Sequence, residues 1–393
     1  MMTVKSPITN STNTRFIATY DPCIMSDSRI AERRIDNYLC LDTGLVFNAS
    51  GARGSEKDFY TDEYDLHSEN DNSEFKYFES DKVVGIYDDI ADFIAASTKF
   101  EGKPSILDIG CGKGILLRKL QAKYPGSELH GIEPSRNALK FFQKVFPDVS
   151  IFEGIFEESP FRDEKFDLIV SNGVLEHVPD PVTFLKNIRS CIAETGFLYI
   201  GVPNFKNNPA DLFTYDHLSR FTPKTVNMVF QLGGFEIAAS KVSDQRVPMW
   251  YILKPAKIRS IVDIAVDVDS SSRLIEKTLQ EIDAFFESYQ KAAKQAKAKK
   301  KKVAVYGTGA FGLIGTRYTE LDTKTIECIF DDNMSIWGSE RLGITVDDPQ
   351  KIKNMDSISE VVISANPCYI HLIESKVKAL IDGTSLTMHV PKI

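Results

Sequence analysis

The apolar positions of the chain fall into two blocks in which short hydrophobic runs alternate with helical stripes. In the first block, Ile106-Leu107-Asp108-Ile109 sets three apolar residues around one acid, which suits a buried strand. Gly110, Gly112 and Gly114 follow at once, and Ile115 to Tyr124 reads as a helix. A second apolar run, Leu129 to Ile132, ends on Glu133. Upstream, Val83, Ile86, Tyr87, Ile90, Phe93 and Ile94 recur at helical spacing and predict a helix over Val83 to Thr98. Downstream, Pro223 to Leu232 reads as a helix, Gly233 to Ile237 as a turn and strand, and Arg246 to Leu253 as the last strand of this block. Leu274, Ile275, Leu279, Ile282, Phe286 and Tyr289 then form one stripe of a long helix, Ser271 to about Ala298. The second block follows: Val303 to Tyr306, a turn with Gly307, Gly309 and Gly312, the run Ile326 to Phe330 ending in Asp331 and Asp332, and the run Val361 to Ser364. Residues 1 to about 20 are polar and read as an extended or frayed arm.

Two strand–glycine-turn–helix units predict an α/β protein. The first carries a glycine-rich turn where backbone must approach a ligand closely. Glu133, at the end of its second strand, can accept hydrogen bonds from both hydroxyls of a ribose. The distance from Gly110 to Glu133 suits a nucleoside-binding βαβ unit. The second unit has the G-x-G-x-x-G spacing of a dinucleotide site, but fewer than a hundred residues remain for it.

Composition narrows the options. The 393 residues carry a formal net charge of -8, which makes the chain a poor partner for nucleic-acid backbone. The lysine run Lys299 to Lys302 reads as a solvated helix end. No apolar run is long enough to span a bilayer, and the N-terminus lacks a signal-peptide core. Six scattered cysteines fit a reducing, cytoplasmic setting.

The stretch Ile106 to Gly114 resembles the first motif of the class I S-adenosylmethionine (SAM) methyltransferases. The resemblance continues at Phe161 to Ser171, at Val174-Leu175-Glu176-His177-Val178-Pro179 and at Gly196 to Asn204, covering about residues 100 to 250. It implies a Rossmann-like methyltransferase domain and SAM as cofactor. The contacts it implies are Asp108, Gly110, Cys111, Gly112, Gly114, Glu133, Pro134, Ile155, Phe156 and Asn172. Ile155 departs from the family, which often has an acid there for the adenine amino group. No Asn-Pro-Pro-aromatic segment follows the fourth strand, where Ser171-Asn172-Gly173 stands, and this argues against a nucleic-acid substrate.

At the N-terminus, Cys23-x2-Ser26 and Cys40-x2-Thr43 precede Gly44-Leu45-Val46-Phe47. Two C-x2-C pairs in this position would read as a zinc knuckle, but hydroxyl residues replace half of the thiolates, so the expected module is degenerate and metal-free. The acidic, aromatic stretch 55 to 80 reads as a solvated loop, or as a lid bringing Tyr60 or Tyr64 to the substrate. With the central SAM domain and the second glycine-turn unit, the whole architecture resembles the nucleotide-sugar C-methyltransferases of deoxysugar pathways. That resemblance divides the chain into an N-terminal substrate-covering segment (1–80), a methyltransferase domain (81–255), a helical linker (256–301) and a C-terminal Rossmann-like domain (302–393). The family's E-H-x-x-Y-F-S base segment matches Asp216-His217-Leu218-Ser219-Arg220-Phe221-Thr222. It implies His217 as general base, with Asp216 helping to place the loop and His177 and Tyr64 at the substrate. The implied substrate is a nucleotide-linked keto sugar and no metal is required. Competing expectations are an O- or N-methyltransferase acting on a sugar or other small metabolite, an NAD-dependent oxidoreductase using Gly307 to Gly312, and a binding module without turnover.

Overall fold

The computed structural model describes residues 4–50, 60–61, 76–79, 82–257 and 268–392. The polar N-terminus is not an arm throughout: Thr14–Tyr20 is a strand, β1. It pairs antiparallel with a strand at Ile35–Cys40, with a bulge between Phe16 and Ala18. The short hairpin β2 (Cys23–Ile24) and β3 (Ile30–Ala31) intervenes, and that longer strand is β4. β5 (Val46–Asn48) continues the sheet, and a further hairpin joins β6 (Lys76–Glu79) to β7 (Lys82–Gly85).

The central domain opens with α1 (Ile86–Ser97), then β8 (Ser105–Ile109), α2 (Ile115–Lys123), β9 (Glu128–Glu133), α3 (Arg136–Val145), β10 (Ser150–Glu153) and β11 (Phe166–Asn172). It continues with α4 (Pro181–Cys191), β12 (Ile192–Pro203), β13 (Ser219–Arg220), α5 (Pro223–Leu232), β14 (Phe235–Lys241) and β15 (Pro248–Pro255). Side chains start the helices: Ser135 caps α3, Asp180 caps α4 ahead of Pro181, and Thr222 and Thr225 form a capping box at α5. Seven strands form one mixed sheet in the order β10-β9-β8-β11-β12-β15-β14, with β15 antiparallel to its neighbours. The apolar runs are buried on both faces, as a sheet covered by helices requires. Leu107, Ile109, Ile169, Leu198 and Ile200 pack with Leu185, Ile188 and Val229 on one face. Ile106, Leu168, Val170 and Tyr199 pack with Ile90, Ile94, Leu117 and Leu120 on the other.

β13 leaves the central sheet and pairs with β5, so the N-terminal sheet reads β1-β4-β5-β13. A residue range far downstream is thereby sewn into the first fifty residues. Asn48 Nδ2 donates to Tyr215 O at 2.6 Å, Asn37 Nδ2 donates to Leu212 O at 3.0 Å, and Tyr215 N donates to Ile24 O at 2.8 Å.

The long stripe forms α6 (Val268–Lys299). Next come β16 (Lys302–Tyr306), α7 (Ala310–Tyr318), β17 (Ile326–Phe330), β18 (Glu340–Arg341), β19 (Ile344–Asp347), β20 (Ile358–Ile363), α8 (Ile370–Ile381) and β21 (Thr387–His389). The sheet order is β18-β19-β17-β16-β20-β21, all parallel except β18. α6 packs along this sheet, with Phe285 stacked on Phe311 at 3.8 Å and Tyr289 Oη donating to Ile363 O at 3.1 Å. Tyr20, Phe213, Phe286 and Tyr318 meet ring to ring where the N-terminal sheet, the segment before β13, α6 and α7 converge. Among the described residues, no helix is long and apolar enough to cross a membrane.

Candidate active site

The carboxyl ends of β8 and β9 carry the glycine turn. Gly110 and Gly114 have φ of +77° and +79°, the left-handed region that favours glycine. At Gly114 a Cβ would also lie 2.8 Å from Phe142 Cδ2. Glu133, buried at the end of β9, accepts from Gly112 N at 2.8 Å through Oε2 and from Ser135 N at 2.8 Å through Oε1. The turn and the acid are thus held as one unit. Asp108 is pushed up to about 8 by burial and then by the charge of Glu133. Cys111, beside both, has its thiol pushed up by burial, Asp108 and Glu133. Two buried carboxyl groups this close favour a cationic ligand over a neutral one, so the donor set fits SAM.

The other expected cofactor positions lie around the same end of the sheet. Pro134 is half-buried in the turn between β9 and α3. Ile155 follows β10 and Phe156 is buried, edge-on to Phe184 at 5.8 Å. Asn172 closes β11, and its Oδ1 accepts from Tyr199 Oη at 3.1 Å.

The residues expected on the substrate side lie after the end of β11 and in the segment before β13. His177 and His217 come together edge to face, ring centroids 4.7 Å apart. His217 Nδ1 lies 2.5 Å from Asp211 Oδ1, with Asp211 2% exposed. Burial works to lower the imidazole's affinity for protons, but the Asp211 carboxylate prevails and the His217 value stands raised to about 9. Asp211 in turn is held below its ordinary range: burial raises it, and the charge and hydrogen bond of His217, with the charges of Arg220 and His177, together outweigh this.

Asp216, expected to help place the loop that carries His217, turns its carboxylate toward the N-terminal hairpin. Its carboxylate accepts from Ser26 N at 2.8 Å, from Ser26 Oγ at 2.5 Å and from Tyr60 Oη at 3.1 Å. It is a tether for the N-terminal hairpin, and Ser26 holds that tether at the position where a knuckle would have a thiolate. His177 Nδ1 lies 2.9 Å from the Asp216 carbonyl and 2.8 Å from Tyr60 Oη. A carbonyl only accepts, so this Nδ1 carries the proton and the lone pair of the neutral ring sits on Nε2. The carboxylate at His217 Nδ1 sets the same tautomer there. Tyr64 lies outside the described residues.

Glu176 is 3% exposed, with Oε2 unpartnered. Burial raises its affinity for protons and the charges of His177 and His217 only partly oppose this. Arg220, 1% exposed, braces the segment from within: Nε donates to Asp211 O, Nη1 to His217 O and Nη2 to Thr214 O, each at 3.1 Å. Burial lowers the guanidinium to about 10 against the pull of Asp211 and Asp216. This bracing is the structural role of arginine at the position where the resemblance has tyrosine. Asp211, Glu176 and Arg220 were not singled out as site residues in the sequence. Asp211 is six residues from His217 with no periodic signal, and only an acid in an otherwise apolar stretch marks it.

Among the described residues, Cys23 and Cys40 are free and buried in different apolar clusters. At the second glycine turn, Thr308 N and Oγ1 donate to Asp331 Oδ2 at 3.0 and 2.9 Å. A Cβ at Gly307 would sit 2.2 Å from Ser364 O, and Gly312 N donates to Ser364 Oγ at 2.8 Å.

A family model described as a methyltransferase domain matches residues 85–240. Among curated proteins, a demethylmenaquinone methyltransferase of Chlorobaculum parvum is 29% identical over 109 residues, 28% of this chain and 45% of the relative. A ubiquinone biosynthesis O-methyltransferase of Glaesserella parasuis is 29% identical over 108 residues, 25% of this chain and 45% of the relative. A tRNA U34 carboxymethyltransferase of Nautilia profundicola is 37% identical over 91 residues, 22% of this chain and 29% of the relative. The chain thus spans less than half the length of these relatives. The glycine turn, Glu133, the sheet order and these matches agree: residues 85–240 carry a class I SAM-dependent methyltransferase domain, and SAM is its cofactor.

Proposed function

We propose that the protein transfers the SAM methyl group to carbon on a nucleotide-linked keto sugar, with His217 as general base. The observation that carries this reading is the buried His217–Asp211 pair, 2.5 Å apart, beside His177 on the segment that covers the site. The substrate class rests on the resemblance at Asp216 to Thr222. When bound, SAM supplies an electrophilic methyl group on a sulfonium leaving group. Asp108, Glu133 and the turn Gly110 to Gly114 hold it. His217 removes the proton from carbon next to the ketone through Nε2, and Asp211 at Nδ1 stabilises the imidazolium that forms. A base raised to about 9 is a strong acceptor for a carbon acid, at the expense that only about one ring in a hundred is unprotonated at pH 7. His177, oriented by Tyr60 and the Asp216 carbonyl, faces the same space and contacts the sugar.

On this reading the N-terminal segment is the metal-free counterpart of a zinc knuckle, held by Ser26 and apolar packing. The Rossmann-like C-terminal domain encloses the nucleotide end of the substrate. The tight seating of Gly307 and Gly312 on Ser364 accounts for those glycines by internal packing, which weakens the NAD reading. The name of one relative, a ubiquinone biosynthesis O-methyltransferase, favours the alternative of O-methylation. Isotope exchange separates the two: carbon methylation requires loss of a carbon-bound hydrogen to solvent, and retention of deuterium at that carbon would refute it. His217→Asn should keep SAM affinity and lose turnover by about 10²- to 10⁴-fold, the contribution of a positioned base.

A further inference from the structure

The two histidines and the unpartnered glutamate have a geometry that general-base chemistry does not use in full. Glu176, His177 and His217 each present a ligand atom, and these lie within 4.8 Å of one another; no other such set of histidine, cysteine or carboxylate groups occurs among the described residues. We infer that they form a site for one divalent transition-metal cation of the zinc class.

Three observations support the site. First, both imidazoles are oriented as metal ligands are. A carboxylate sits at His217 Nδ1, and a carbonyl and a tyrosine hydroxyl sit at His177 Nδ1. Such outer partners fix the tautomer, aim the Nε2 lone pair and raise its basicity. Second, Glu176 Oε2 is buried without a hydrogen-bond partner. A carboxylate in that state is unfavourable unless a proton or a cation joins it. Third, the set is two nitrogens and one oxygen. That composition suits zinc, cobalt or nickel and disfavours calcium or magnesium, which take oxygen ligands. Three protein ligands leave a fourth position open to water or a substrate oxygen. Ligand bonds of about 2.0–2.2 Å require the three atoms to draw closer than they stand, by side-chain rotation about the cation.

Binding does not depend on the proposed methylation chemistry. Its consequence does: the cation would take the lone pair that His217 uses as base, so metal loading and turnover would exclude each other.

The test uses the full-length protein, freed of metal with a chelator and titrated with zinc chloride by calorimetry, with cobalt(II) absorbance as a second readout. We expect one equivalent to bind at about 10 µM or tighter. Glu176→Gln and His177→Ala should each weaken it about 10- to 100-fold, as for lost metal-site interactions. Zinc should raise the melting temperature of the wild type and of Cys23→Ser, but not of the two site variants. Their own melts in the absence of zinc report whether they fold. No stoichiometric binding, binding undiminished in both site variants, or binding abolished by Cys23→Ser would each overturn the proposal. If zinc binds and His217→Asn still turns over normally, the base assignment fails and the metal site stands. If zinc does not bind and His217→Asn is inactive, the reverse holds.

Discussion

Asp211→Asn isolates what the buried carboxylate does to His217. The substitution keeps the shape of the side chain and removes its charge, while burial of the ring remains. The wild-type imidazole is raised from its ordinary 6.5 to about 9, a preference for the imidazolium of about 3 kcal/mol. Without the Asp211 carboxylate, burial lowers the value against only the charges of Glu176 and Asp216, so the variant ring should titrate well below the wild-type one. The sign for stability follows from linkage. A group whose folded value is raised contributes its full stabilisation below 6.5 and loses it as pH rises through about 9. The wild type should therefore lose about 3 kcal/mol of unfolding free energy from this group over that range, and Asp211→Asn should flatten the profile. Two assays read this without any substrate. Histidine side-chain NMR over a pH series gives the titration, with the His217 signal assigned by its loss in His217→Asn. Urea unfolding at pH 6 and pH 9 gives the stability. For activity, kcat/KM of the wild type should climb about tenfold per pH unit until near 9. A wild-type His217 that titrates near 6.5, or one whose titration is unchanged in Asp211→Asn, would refute the reasoning.

Two further outcomes test the frame of the site. Glu133→Ala should weaken SAM binding by about 1 to 3 kcal/mol in calorimetry, the range for hydrogen bonds to a charged group, and unchanged affinity would remove Glu133 from the cofactor site. Arg220→Met strips three buried carbonyl oxygens of their donors and leaves Asp211 without a nearby guanidinium; urea unfolding should show a loss of about 3 to 5 kcal/mol, and a loss within experimental error would mean that the segment is braced elsewhere.

The glycine turn and the acid that holds it are legible in the sequence because their determinants are local. Three glycines, an acid and two apolar runs occupy consecutive positions, and the backbone conformations at Gly110 and Gly114 leave few other residue choices. The substrate half was legible only in part. The resemblance draws attention to His217, and adjacency suggests that Asp216 places the loop, but the acid that meets the His217 ring is Asp211. Neighbouring residues in an extended segment point to opposite sides, and Asp216 faces Ser26 while the ring of His217 meets Asp211. Glu176 looked like part of a common helix-start motif. Its burial and lone oxygen are consequences of the fold around it, which no local pattern encodes. Thr14–Tyr20 reads as an arm in the sequence because its alternation is weak, and the structure shows why: the strand lies at the sheet edge, carries a bulge between Phe16 and Ala18, and leaves Phe16 exposed.

The pairing of β5 with β13 bears on how this chain comes to fold. Val46 and Phe47 meet Ser219 and Arg220 across more than 170 residues of intervening chain. Loop-closure entropy must be overcome before such a contact gives anything back, and topologies rich in distant pairings fold slowly. During synthesis the first sheet can collect β1, β4 and β5 early, yet its last edge waits until the ribosome has delivered the whole strand–helix series up to β13. Until then, Asn37 and Asn48 lack the carbonyls that they later grip. Excising residues 85–240 for expression would create the same predicament in reverse, leaving β13 with no sheet to join and His217 on an unanchored strand end. The segment that carries His217 is therefore a late product of assembly, completed only when the two ends of a long detour meet.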